Sequence, residues 1–423
     1  MKTSTFLFAT DLVDEGIDGV LERLEQANLD ALTMACNYHH SRDVFPHNPV
    51  HRVRYMQGGV FFQPETSRYA QLLIKPDVPA WVSDDDPLRN VCRAADRRGL
   101  AVRSWTNNTH STVLASANPS CAIQNAFGDR YINSLCPANP DVRAYVRTLN
   151  SDLARYPLDA LLVESVCYMP FDHGYHHERC LVPISQLAKF LLGLCFCTHC
   201  ASKMADEGVN GGALRKHVAE QLDRHLAGDA SELDELEFTR GAVEQFAGGD
   251  MTAMLAARRS IVTSLIREVK DAVAAVSSAP VMVMEWSGGL RGAGMGMPVG
   301  DTSSAAPDRA WQDGVDLQSV RAVSDGVGVL GYVGEVGELR RDLEAYRSLL
   351  GPKTPLSVAL RPMPPDCNSA AELGQKVAFL RDFGADWVEF YHYGFMRLRN
   401  LEWVAEVLKG GAHKSPGRSN ERL

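Results

Sequence analysis

Residues 158–200 begin LDALLVESVCYMPFDHGYHHERC (158–180) and end LLGLCFCTHC (191–200). The first part reads as a short buried strand, Ala160 to Val163, that delivers Glu164 to its end and runs into a loop dense in His, Tyr and acid. The second part packs Cys195, Cys197 and Cys200 into one turn-sized segment. Thiolates so spaced reach a single ion, and metal chemistry is what that spacing serves. Chemistry at a strand end, braced by a metal knot, is the expectation that orders the rest of the chain.

Working outward, strand-like runs recur and most precede a helix-like run. Thr5 to Thr10 is a strand followed by an amphipathic helix, Val13 to Ala27, in which Ile17, Val20, Leu21 and Leu24 return at helical spacing. Leu29 to Tyr38 is the second strand, and VRYMQGGVFFQP (53–64) reads as a hairpin in the excursion that follows it. Pro87 to Arg98 is a helix capped by Gly99, and Ala101 to Trp105 is the third strand. After the fourth strand, residues 185–278 are mostly helical, with Met254 to Val276 the clearest helix. Val281 to Met284, Gly326 to Val333, Pro355 to Leu360 and Trp387 to Tyr391 complete eight strands. This alternation predicts an α/β fold, a (β/α)8 TIM barrel with a long helical insertion after strand 4, whose functional face lies at the strand C-termini. The barrel is expected over residues 1–409, with a zinc-binding insertion over 136–200 and a disordered tail over 410–423. A doubly wound sheet needs a Gly-rich loop after strand one, and ATDLVDEG (9–16) has none. GAGMGM (292–297) lacks the last Gly of a dinucleotide fingerprint, and the stretch around it reads as an active-site loop.

A chain of 423 residues with 45% hydrophobic content can bury a core of that size. A net charge of -9, with no basic block before the tail, argues against nucleic acid or an anionic membrane as partner. A small-molecule or oligosaccharide substrate fits better, and self-association is left open. The N-terminal apolar run is short and broken by Asp11, and no stretch reaches bilayer length, so the expected location is cytoplasmic. The ten cysteines are clustered, as suits thiols plus a metal site better than a disulfide framework.

Zn2+ takes four ligands in tetrahedral array, so the three clustered thiols need a fourth from elsewhere. By chemistry alone Cys121, Cys136, Cys167, Cys180 and His199 qualify. Buried free thiols are the alternative, and three Cys within six residues weigh against it. With no ligand position left open, the expected role is structural.

The C-x-C-x-x-C after strand four, with an earlier Cys in a C-x-x-x-P context (Cys136 to Pro140), resembles the zinc cluster of the glycoside hydrolase family 42 β-galactosidases. Those are TIM-barrel retaining enzymes whose acid/base Glu ends strand four. The resemblance implies Cys136 as the fourth ligand and Glu164 as the acid/base. More broadly the chain resembles glycoside-hydrolase-like barrel proteins of bacteria. It departs from the family in two places: Val163 stands where Asn precedes the strand-four Glu, and PLSVALRPMPPD (355–366) has no carboxylate before Asp366, where the family ends strand seven with its nucleophile.

Glycoside hydrolysis needs two carboxyl groups, one protonated and one ionised. Strand ends supply Glu164, Glu285, Glu335 and Glu389, each behind an apolar approach that raises a carboxyl pKa. Glu164 is the expected general acid/base, with Glu285, or failing that Glu389, as its partner. Glu335 is set last because it fits the first turn of a helix. Trp105, Asn107, His110, Tyr168, Asp172, His176, Trp286, Tyr391 and His392 are the expected substrate-binding rim. A rival reading gathers His39, His110, His176, Glu164 and His392 around a catalytic metal, as in sugar isomerases, epimerases or lyases. A carbohydrate-binding barrel without catalysis is the third.

Overall fold

Eight parallel strands close on themselves in the protein, for which a computed structural model describes residues 1–83, 85–173, 179–289 and 303–411. In chain order they are β1 (Lys2–Phe8), β2 (Ala31–Tyr38), β3 (Ala101–Asn107), β4 (Ala160–Glu164), β5 (Val281–Glu285), β6 (Gly326–Leu330), β7 (Leu356–Leu360) and β8 (Trp387–Phe390). Each pairs with its sequence neighbour, and closure comes from Lys2 to Thr5 of β1 against Trp387 to Phe390 of β8. The architecture is the (β/α)8 TIM barrel expected from the alternation of strands and helices.

Local chemistry sets the boundaries. Asn139 caps the helix Pro140–Leu153 by accepting from the amides of Asp141 and Val142, with Pro140 pre-set for the first turn. Gly384, at φ 82°, ends the helix Ala370–Phe383 and turns the chain into β8. Gly288, just past β5, comes so close to the Leu330 carbonyl that a Cβ would lie 1.9 Å from it, so only glycine fits.

The insertion after β4 carries helices Gln186–Leu192, Thr198–Asp206, Gly211–Ala227, Arg240–Gln245 and Asp250–Ala274 before the chain re-enters at β5. No helix among the described residues is long and apolar enough to cross a membrane.

Several details differ from the expectation. The strand expected over Thr5 to Thr10 runs Lys2–Phe8, and the helix expected over Val13 to Ala27 is two, Ala9–Glu15 and Ile17–Gln26, divided at Gly16 with φ 79°. Val53–Met56 pairs with Ser41–Val44, not with the run after it, while Gly59–Val60 pairs antiparallel with the end of β2. The hairpin over 53–64 is therefore two separate pairings, because the Gly58 and Gly59 pair bends the chain back onto β2 instead of closing a tight turn. An antiparallel ribbon after β3, Ala122–Gln124 with Arg130–Leu135, was not expected. The last helix, Leu398–Gly411, runs past residue 410, where the tail was expected to begin, and 412–423 lie outside the described residues. So does GAGMGM.

Candidate active site

Period two along a strand decides which strand-end side chains enter the barrel. Arg103 of β3 lies inside, its Nη1 paired with Glu389 of β8 at 2.8 Å and its guanidinium over Trp387 at 4.2 Å. Two residues on, Trp105 is also inside, its ring edge-on to Phe6 at 5.1 Å and near Tyr38 at 4.5 Å. The Trp105 indole N–H donates to Glu164 Oε2, which fixes Glu164 as inward-facing at the end of β4. Burial pushes the Glu164 carboxyl up to about 7, against the lowering effect of that N–H. Tyr38, Tyr332 and Tyr391 face the same space, and burial followed by the neighbouring Glu164 charge pushes Tyr391 above its ordinary value. A carboxyl that still holds its proton near neutral pH, at the C-terminal face of a barrel, is equipped to donate it.

Glu285 is buried more completely than the half-buried Glu164 but points the other way. Met282 accepts from Arg103 Nη2 at 3.2 Å and so faces in, which turns Glu285, three residues later, outward to the helix layer. There it accepts from the Tyr346 hydroxyl of helix Val336–Leu350 and from the Ser287 amide at 3.0 Å. Glu389 faces in but lies deeper, level with Ser4 of β1, and takes bonds from Thr33 Oγ1 (2.7 Å) and Ser357 Oγ besides the Arg103 ion pair. Neither expected partner therefore meets Glu164 at the mouth: one is turned outward and the other is neutralised below it. Glu335 is exposed and caps the helix Val336–Leu350.

Among the expected rim residues, Trp105 and Tyr391 stand at the mouth, with ring centroids 6.0 Å apart. His110 stacks on His39 at 4.3 Å and approaches His173 at 5.3 Å, and His173 lies 5.4 Å from Trp286, giving a run of rings along one side. Asn107 ends β3, where its Oδ1 accepts the His110 amide at 3.2 Å. His392 is sealed in, not on the rim: it packs on Phe8 at 4.3 Å, its Nδ1 accepts the Gly394 amide, and burial keeps the imidazole well below its ordinary pKa and hence neutral. Tyr168 is also displaced from the rim, its hydroxyl 3.2 Å from Cys200 Sγ. Asp172 is exposed and pairs with Lys189 at 3.1 Å. His176 lies outside the described residues.

Three polar groups stand near the mouth that were not among the expected site residues, Arg361, Asp43 and Asp313. Arg361, one residue past β7, stacks over Tyr332 at 4.5 Å and holds Asp366 through two bonds of 2.6 and 2.7 Å. Asp43, on the strand Ser41–Val44, adds its charge near Tyr38 and Tyr391. Asp313 accepts the Trp286 indole N–H at 2.8 Å. An Arg directly after an apolar strand was a readable signal; Asp43 and Asp313 gain meaning only from tertiary contact.

Cys136, Cys195, Cys197 and Cys200 are buried with their sulfurs all within 4.8 Å of one another. The Cys136 sulfur lies 3.6, 3.5 and 3.7 Å from those of Cys197, Cys200 and Cys195. Tetrahedral ligation at ~2.3 Å sets sulfurs ~3.8 Å apart, so the quartet fits one such ion. Hydrogen bonding within it, first with Cys195, pushes Cys136 well above the ordinary thiol range, while the bond with Cys136 foremost holds Cys197 well below it. A bound dication lets all four ionise together. Cys136 follows the ribbon after β3 and the other three lie in the insertion after β4, so an ion here ties those two excursions together. His199 is not part of the group, and among the described residues no other set of His, Cys, Asp or Glu gathers three donors closely enough for a metal.

No family model matches the chain, and no curated protein matches it in sequence. Solved structures do match in fold. An α-L-fucosidase, isoenzyme 2 from Paenibacillus thiaminolyticus, aligns over 97% of this chain and 49% of its own with TM-score 0.54 at 12% identity. A β-galactosidase from the psychrophilic Marinomonas ef1 aligns over 97% of this chain and 60% of its own with TM-score 0.58 at 11% identity. The chain thus spans about half to three-fifths of the length of these two enzymes, and the likeness is one of barrel architecture.

Proposed function

We propose that the chain is a glycoside-hydrolase-like enzyme that acts on a carbohydrate or glycoside, with Glu164 as general acid/base and a structural zinc in the Cys136, Cys195, Cys197, Cys200 quartet. The observation that carries this reading is the inward Glu164 carboxyl, raised to about 7 among Trp105, Tyr38 and Tyr391 at the barrel mouth. The two barrel neighbours named above are glycosidases, which supports a sugar as substrate class. Zinc is supported by four thiols at tetrahedral separation, and the ion would supply cross-linking, not chemistry.

A two-carboxylate mechanism needs an ionised partner for Glu164. Glu285 and Glu389 are occupied elsewhere, and Asp43 and Asp366 are the carboxylates whose charge reaches the mouth tyrosines. Asp366 is held by Arg361 as Glu389 is by Arg103, so Asp43 takes the role in this reading. The test is a screen of aryl glycosides with wild type and Glu164→Gln: turnover in wild type that disappears in the variant supports the reading, and undiminished turnover overturns it. Zinc analysis should give one ion per chain, and activity that persists after dialysis against a chelator separates a structural ion from a catalytic one.

A further inference from the structure

Beside the mouth, Arg258 on helix Asp250–Ala274 is 3% exposed although its guanidinium is charged. Its face lies 4.1 Å from the Tyr168 ring and 6.0 Å from that of Phe190, and its Nη2 donates to the Gln312 carbonyl at 2.7 Å. Nε and Nη1 have no hydrogen-bond partner among the described residues. A guanidinium carries five N–H donors, and stacking satisfies its face but leaves its edges wanting acceptors. Buried polar groups in native structures are paired, so donors left bare beside a cavity mark a place for a ligand.

Arg258 lines such a cavity, with Asp313, Gln186, Lys189, Phe190 and Phe238 among its walls. Its volume of about 60 Å3 is several times what one water needs and suits an oxyanion group better than a whole sugar ring. Lys189 at the rim is offset by its partner Asp172. Burial pushes the Asp313 carboxyl up to about 7, so below that pH it is neutral and the cleft keeps the Arg258 charge, enough for a monoanion. A dianion such as sulfate exceeds that charge. The cleft also adjoins the rim, because Asp313 accepts from Trp286, whose ring lies 5.4 Å from His173 in the run of rings at the mouth.

We infer that the Arg258 cleft is a subsite for the carboxylate of an acidic sugar, so that the ligand of this barrel carries a uronate unit next to the one at Glu164. The assignment of a sugar rests on the reading given above; the oxyanion site rests on Arg258 alone. Guanidinium–carboxylate pairing in a partly dry cleft is the strong, directional kind.

The test is calorimetric titration of the zinc-loaded full chain at pH 6 with D-glucuronate, D-glucose and inorganic sulfate. Glucuronate is expected to bind at least tenfold more tightly than glucose and than sulfate. Arg258→Met should bring glucuronate and glucose to equal affinity. Lys189→Gln, at a half-exposed position where folding is not at stake, should lower the preference several-fold. Equal binding of glucuronate and glucose to wild type, sulfate binding as tight as glucuronate, or a preference unchanged in both variants each overturns the inference. Turnover of neutral glycosides with no uronate preference would sink the subsite and leave the glycosidase reading standing. An Arg258-dependent preference in a chain that turns over no glycoside would do the reverse.

Discussion

The ends of β4 and β5 look alike in sequence, ALLVE against VMVME, yet their carboxylates do opposite things. Glu164 shares its face with Ala160 and Leu162 and enters the barrel, where Trp105 meets it. Glu285 shares its face with Val281 and Val283 and leaves the barrel for Tyr346. One residue of phase separates a candidate catalyst from a clasp between sheet and helix. Glu389 adds depth to the comparison: it has the right phase but stops a layer lower, against Arg103. Strand-end position is thus not enough to make a carboxylate functional; phase and height decide.

The largest expected effect breaks the comparison at its functional end. Glu164→Gln should lower kcat on a responsive glycoside by roughly 10²–10⁴-fold, the usual worth of a positioned proton donor, while Glu285→Gln leaves kcat within the same order of magnitude. Loss of turnover in both variants would mean that phase does not separate the two residues.

Next is the buried pair below the mouth. Arg103→Met leaves the Glu389 charge uncompensated and should cost about 3–5 kcal/mol in denaturant unfolding, with much of the loss recovered when Glu389 is also made Leu. A small cost for the single change would return Glu389 to the list of free carboxylates.

The third uses pH. The unfolded chain releases the Glu164 proton near 4.5, while the folded chain keeps it to about 7. Folding therefore takes up a proton between those values, and the Glu164 contribution to stability falls as pH rises through them. Glu164→Gln removes that fall and should be more stable than wild type by about 1–3 kcal/mol at pH 8, with the difference absent below pH 4. The smallest effect concerns the outward partner: Tyr346→Phe should cost about 1–2 kcal/mol with no change in kcat, read by melting and by rate.

Much of the barrel was legible because each strand is a compact apolar run followed by helix signals, from Thr5 onward to Trp387. The phase of those strands was not. Parallel strands are covered on both faces, so ALLV and VMVM show no polar alternation from which to read inside and outside. One mark did exist: Arg103, a charge in the middle of AVRSW, tolerable inside a barrel only with a partner such as Glu389. From it the inward set Arg103, Trp105 and Asn107 follows by period two.

The cysteine quartet was readable from spacing and from the context of Cys136. Asp313 and Arg258 were not, since one sits on a 3-10 turn and the other on a long helix, and only tertiary packing brings them to one cleft.

The proposed chemistry depends most directly on the ionisation of Glu164. A pH titration of glutamate side-chain carbons by 13C NMR, with the Glu164 resonance assigned by its absence in Glu164→Gln, reads it without any substrate. A midpoint near 7 is the expected result. A midpoint at the ordinary value of 4.5 would contradict an inward, desolvated Glu164 and with it the proton donor on which the proposed chemistry depends.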